Sequence, residues 1–178
     1  DAIMLSAESA AGDYPLEAVS TMDNVAQEVE SDPTYIDIID ASRKVTHNSI
    51  ADGIVAAARE LAEKTEIAAI CCFTESGTTA NLVARERPHV PILALTPITK
   101  TARRLQLVWG VHCEEVAEVE RFKKAVINAV RVTRKYGFGT EKDQILVTAG
   151  IPFNQPGTTN ILRVAPCAEH LIVSGEPE

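Results

Sequence analysis

The densest run of chemistry-bearing side chains is Thr74-Glu75-Ser76-Gly77-Thr78-Thr79, in which four hydroxyls and one carboxylate surround a glycine. It follows an apolar run, Ile67–Phe73, and precedes a segment with helical spacing that carries Leu82 and Val83 on its inner side. Hydroxyl groups, a glycine that lets the backbone come close, and the free N–H groups of a helix start are the parts of an anion cradle, and the helix dipole adds to them. The same residue types cap helices, with Ser76 or Thr74 in that role. Phosphate binding and plain capping therefore both stand open on the pattern alone. Glu75 argues against a highly charged ligand, because a carboxylate beside a phosphate costs repulsion in a partly desolvated loop.

A second loop runs from Ala149 to Asn160, and its Gly150, Pro152, Pro156 and Gly157 impose a non-repetitive backbone. It is placed to fold over the first, or else it is only a wide connection. Lys123 and Lys124, on the preceding helical segment, would add positive charge if they faced this region and would otherwise make a solvated face. Other chemistries find no support. His47, His89, His112 and His170 have no partner at metal or triad spacing, and no G-x-S-x-G elbow occurs. Neither G-x-G-x-x-G nor G-x-x-x-x-G-K-[ST] is present, which disfavours an independent nucleotide-using enzyme. Cys71, Cys72, Cys113 and Cys167 lack C-x-x-C spacing and read as buried free thiols. A bound metal or cofactor is not expected, and a reducing compartment fits. Trp109 reads as a core or interface anchor.

The elements that would hold these loops follow from periodicity. Ile50, Ile54, Val55, Ala58, Leu61 and Ala62 predict a helix over 48–64. Strands are predicted at Ile67–Phe73, Pro91–Thr96, Gly110–Val116, Gln144–Thr148 and Asn160–Val164. Helices Gly77–Arg87, Thr99–Leu107 and Ala117–Tyr136 fill the first three gaps. The last gap, Gly150–Thr159, is too short for a crossover helix, so the fifth strand should be antiparallel at an edge. The expected fold is a three-layer α/β/α domain with a mostly parallel five-stranded sheet, whose ligands bind beyond the C-terminal strand ends. Both loops lie there.

Upstream, Ala2–Leu5 reads as a strand, the small residues to Gly12 as a loop, and Pro15 to Glu30 as a helix with Leu16, Val19, Met22, Val25, Ala26 and Val29 on one face. A strand and helix alone cannot bury themselves, so further chain is expected before them. The organisation read from this is residues 1–31 as one fragment, 32–42 as a linker, 43–168 as the α/β domain and 169–178 as a tail. A hydrophobic fraction of 46% and a charged fraction of 24% exclude a disordered chain. A net charge of −8 without a basic patch argues against nucleic acid. Apolar runs of strand length, with no basic leader, argue against a membrane span or signal peptide, leaving the cytoplasm as the expected location.

The N-terminal run Asp1-Ala2-Ile3-Met4-Leu5-Ser6-Ala7-Glu8-Ser9-Ala10-Ala11-Gly12-Asp13-Tyr14-Pro15-Leu16-Glu17-Ala18-Val19 resembles a signature of pyruvate kinases, where the eighth strand of the TIM barrel enters its helix. The family usually has Gly-Glu-Thr where Ala7-Glu8-Ser9 stands. Phe73–Ala80, Trp109-Gly110-Val111, Thr148–Pro152 and Gly157–Val164 are similar to the C-terminal domain of the same family, of bacterial type. The resemblance implies a fragment of a TIM barrel followed by a regulatory domain. It also implies a parent enzyme that transfers a phosphoryl group from phosphoenolpyruvate to ADP in glycolysis, as a homotetramer using Mg²⁺ and K⁺ bound upstream.

By the same resemblance, Ser6 aligns with a residue of a proton relay to the enolate. Thr74, Ser76, Gly77, Thr78 and Thr79 would hold an effector phosphate, with Gly150, Pro152, Gly157 and Thr158 in the loop that closes over it. Glu75, and Ala125 where some relatives carry arginine, point to a monophosphate effector, a sugar monophosphate or AMP, over fructose bisphosphate. The chain alone is expected to be inactive. The alternative is a stand-alone regulatory module that binds a phosphate ligand, against which residues 1–30 speak.

Overall fold

The computed structural model describes residues 2–42, 49–153 and 158–173, in two compact units, Asp1–Val45 and Thr46–Glu178. The first unit holds three helices: α1 (Ala7–Ala10), α2 (Pro15–Ser31) and α3 (Pro33–Ser42). Pro15 opens α2 at its first turn, where its missing N–H costs nothing. Asp32 then takes an extended backbone before Pro33, ends α2, and accepts hydrogen bonds from the Thr34 N–H (2.7 Å) and Thr34 Oγ1 (2.6 Å). Those bonds hold the Asp32 carboxyl below its usual pKa.

Asp-Pro is thus a stop and a start at once, with Asp32 bonding into the first turn of the next helix and proline opening it. That is why residues 33–42, expected within a linker, are helical. Two further expectations for this unit are corrected. Ala2–Leu5 is not a strand, because a strand exists only through ladder partners and the described residues of the unit contain none. The expected loop from Ser6 to Gly12 includes the single turn α1. No residue of α2 is buried, and Leu16, Val25 and Val29 are largely exposed, so its apolar face is bare.

The second unit runs α4 (Ile50–Lys64), β1 (Ile67–Phe73), α5 (Thr78–Arg85), β2 (Ile92–Thr96), α6 (Thr99–Leu105), β3 (Val111–Glu115), α7 (Phe122–Lys135), β4 (Gln144–Gly150), β5 (Thr159–Pro166) and α8 (Glu169–Val173). The sheet order is β3-β2-β1-β4-β5, with only β4 and β5 antiparallel, as the short last gap requires. Alternate residues of β1 enter two cores. Ala69, Cys71 and Phe73 pack with Ala125, Val126, Ala129 and Val130 of α7. Ile70 and Cys72 pack with Val55 and Ala58 of α4 and Ala80 and Val83 of α5. A sheet buried on both faces needs such near-continuous apolar strands, which is how β1, β2 and β4 read in sequence. The four cysteines are free and buried, and burial pushes the Cys71 thiol up to about 12.

Ser49 caps α4 by accepting the Asp52 N–H at 3.1 Å. The helix expected from Ala117 begins only at Phe122. Residues 116–119 have no regular secondary structure, with the Val116 N–H bonding Thr96 O at 3.0 Å and Val119 in the core. The end of the chain also differs from expectation. Helix α8 lies within the stretch expected as a tail, held to α7 by paired contacts from the Arg131 guanidinium to the Glu169 carboxylate (3.0 and 2.8 Å), with Ile172 in the core. Among the described residues no helix is long and apolar enough to cross a membrane.

If α8 belongs to the core, Ile172→Ala should cost about 2 kcal/mol or more in urea unfolding, as buried truncations do. Leu171→Ala, at an exposed neighbour, should cost under about 0.5 kcal/mol.

Candidate functional site

Strand β1 ends at Phe73, and the Thr74 N–H still bonds Leu95 O of β2 at 3.0 Å, so the first loop leaves the sheet from a fixed point. The Gly77 N–H then turns back onto Thr74 Oγ1 at 2.9 Å. Gly77, the N-cap of α5, sits at φ +89°, where a side chain is strained, and a Cβ there would meet Arg104 Nη2 at 3.2 Å and Leu105 Cδ2 at 3.3 Å. Helix α6 holds the loop's carbonyls: Thr101 Oγ1 donates to Glu75 O at 2.8 Å and the Arg104 guanidinium donates to Ser76 O.

Hydroxyls supply part of the capping. Ser76 Oγ shares a hydrogen with Thr78 Oγ1 at 2.9 Å and accepts the Thr78 N–H at 3.4 Å. The N–H groups of Thr79 and Ala80, both buried, have no acceptor among the described residues. Helix starts leave such donors by construction, and buried ones call for a partner.

The second loop is tied to the first by the buried pair Thr79 Oγ1 and Thr159 Oγ1, 2.7 Å apart. Asn160 clamps its start, accepting the Ile151 N–H at 2.9 Å and donating to Ile151 O at 2.6 Å, across the cis Ile151–Pro152 bond's own turn. Gly150 must lack a side chain, since a Cβ would fall 2.5 Å from Thr158 Oγ1 and 2.9 Å from Thr158 O.

Between the loops lies a cavity of about 60 Å³. Of the sequence-derived candidates, Thr74, Ser76, Thr78, Thr79, Gly150 and Thr158 line it. Gly77 shapes the loop without lining the cavity, Pro152 lies outside the lining, and Gly157 falls outside the described residues. Ser6 belongs to the first unit, where it is exposed at the start of α1.

Three contributors were not singled out from sequence. Phe153 packs edge-on against Phe73, with centroids 6.5 Å apart. Thr159 closes the hydroxyl pair, and Ala117–Val119, from the β3–α7 connection, form a further wall. Among the described residues the lining holds two carboxylates, Glu75 and Glu118, and no Lys, Arg or His. Neither Lys123 nor Lys124 reaches it, and Ala125 is buried in the α7 core.

Residues 52–165 match the family model described as pyruvate kinase, alpha/beta domain. The chain belongs to the pyruvate kinase family. It is 40% identical over 165 residues to a pyruvate kinase of Methylorubrum extorquens, covering 93% of this chain and 34% of that protein. Pyruvate kinases of Agrobacterium vitis (39% over 164 residues, 92% and 35%) and Staphylococcus epidermidis (39% over 165 residues, 92% and 28%) are similar to it on the same scale. The chain therefore spans about a third of the length of these relatives, and within the family it covers the α/β domain in which the cavity lies.

The buried Thr79–Thr159 pair is a joint whose cost appears only when one side is removed. Thr79→Val and Thr159→Val should each lose about 1–2 kcal/mol in urea unfolding, while the double variant should be more stable than the sum of the two losses implies.

Proposed function

We propose that this chain is the effector-binding and subunit-contact part of a pyruvate kinase, and that its cavity takes the phosphate of a monophosphorylated metabolite. The supporting observation is the pair of buried residues Thr79 and Ala80 at the start of α5, whose N–H groups find no acceptor among the described residues, next to a hydroxyl-ringed cavity that Thr79 lines. Amides at a helix start, with the helix dipole behind them, favour one compact anion. Two carboxylates and no cation among the described residues of the lining favour few negative charges on it, a sugar monophosphate or AMP over fructose bisphosphate.

The parent transfers a phosphoryl group from phosphoenolpyruvate to ADP, as a cytoplasmic homotetramer whose barrel includes residues 1–31. Mg²⁺ and K⁺ belong to the rest of that parent. Ser6, exposed beside the Glu8 carboxylate that accepts its N–H at 3.3 Å, serves the proton relay only when the rest of the barrel is present. By itself this chain binds and does not catalyse. In the parent, effector binding draws the loops around the cavity together and biases the contacts of the domain with its neighbours.

Calorimetric titration with ribose 5-phosphate, glucose 6-phosphate, AMP and fructose bisphosphate tests this. Saturable monophosphate binding, weakened about tenfold or more by Ser76→Ala and by Thr79→Ala, is expected, with phosphoryl transfer by the chain at background. Tighter binding of the bisphosphate than of every monophosphate would refute the monophosphate reading.

A further inference from the structure

The cavity holds an unmet acceptor as well as unmet donors. Glu75 Oε2 is buried and has no hydrogen-bond partner among the described residues, although Glu75 lines the cavity and its own carbonyl is held by Thr101. A buried carboxylate oxygen without a donor is costly. The backbone around it is arranged by other groups: Thr74 Oγ1, Thr101 and Arg104 set the loop without the Glu75 carboxylate.

The first turn of α5 asks for an anion, and the residue three positions before it asks for a hydrogen-bond donor, at one cavity. A bare oxyanion answers only the first demand. A second phosphate would answer neither, since it brings more negative charge to Glu75 and Glu118.

We propose that Glu75 reads the body of the effector by accepting a hydrogen bond from a hydroxyl or amino group next to the single phosphate. The site then takes donor-bearing phosphate monoesters and discriminates against monoesters that lack such a donor. This rests on the effector-site reading above and adds a ligand class and a specificity residue to it. With a carboxylate as acceptor, the donor is worth about tenfold or more in affinity.

The test titrates the intact chain with ribose 5-phosphate and with methyl phosphate, in the native protein, Glu75→Ala and Glu75→Gln. The native protein should favour ribose 5-phosphate by about tenfold or more. Glu75→Ala should bring the two ligands within about threefold, by weakening ribose 5-phosphate and not methyl phosphate, and Glu75→Gln, which keeps one acceptor oxygen, should fall between. Neither variant removes an internal hydrogen bond of that side chain, so thermal midpoints without ligand should equal or exceed the native one. Glucosamine 6-phosphate beside glucose 6-phosphate tells an amino donor from a hydroxyl.

A ribose 5-phosphate preference that survives unchanged in Glu75→Ala, or in Glu75→Gln should the alanine variant not fold, overturns the proposal. So does equal binding of both ligands by the native protein, which leaves the effector site standing. Binding of neither ligand at millimolar concentration removes the site itself.

Discussion

The rest of this structure depends on the burial of β1 from both sides. It is the middle strand of the sheet, bonded to β2 on one edge and β4 on the other, with Cys71 and Cys72 facing opposite cores. Apolar side chains such as Ile70 and Leu146, enclosed this fully, each stabilise the fold by about 1.5–3 kcal/mol, so neither strand can slip without losing several at once. The register aligns Cys72 with both Ala94 and Thr148. The chain leaving β1 and the chain leaving β4 therefore emerge side by side, and the two hydroxyl- and glycine-bearing loops meet because the core forces them to.

From that meeting point the electrostatics follow. Helix α6 takes up the loop's carbonyls through Thr101 and Arg104, while Gly77 supplies the left-handed turn that starts α5. What is left over, among the described residues, is a set of donors at Thr79 and Ala80 and an acceptor at Glu75, by a cavity whose described lining holds no cation. An anion bound there would gain its affinity from oriented amides and hydroxyls, an arrangement suited to one phosphate and a polar body. A cationic clamp for two phosphates is a different arrangement, and the described lining does not contain it.

Much of this was legible in sequence wherever a local signal carries it. The apolar runs of β1, β2 and β4, the periodicity of α4 and the short β4–β5 gap place the sheet and its one antiparallel pair. Where the signal depends on tertiary partners, the reading slips. Ala2–Leu5 has the pattern of a strand without a ladder, Asp32-Pro33 ends one helix and begins another, and residues 117–121 look helical until Val119 is needed in the core. The site divides in the same way. Thr74 through Thr79 and Gly150 announce themselves by type and spacing, whereas the Thr79–Thr159 contact joins residues eighty apart through the register alone. Glu75 was readable as repulsive to phosphate, but its unpartnered oxygen appears only once its surroundings are known.

The proposed anion sits on the first turn of α5. Amide NMR of the isotope-labelled chain, titrated with ribose 5-phosphate, tests it at single residues. The account predicts that the Thr79 and Ala80 amide protons shift downfield together and saturate, as amides do when they gain a charged acceptor. Saturable shifts elsewhere with these two unmoved, or no shift at millimolar ligand, would contradict it.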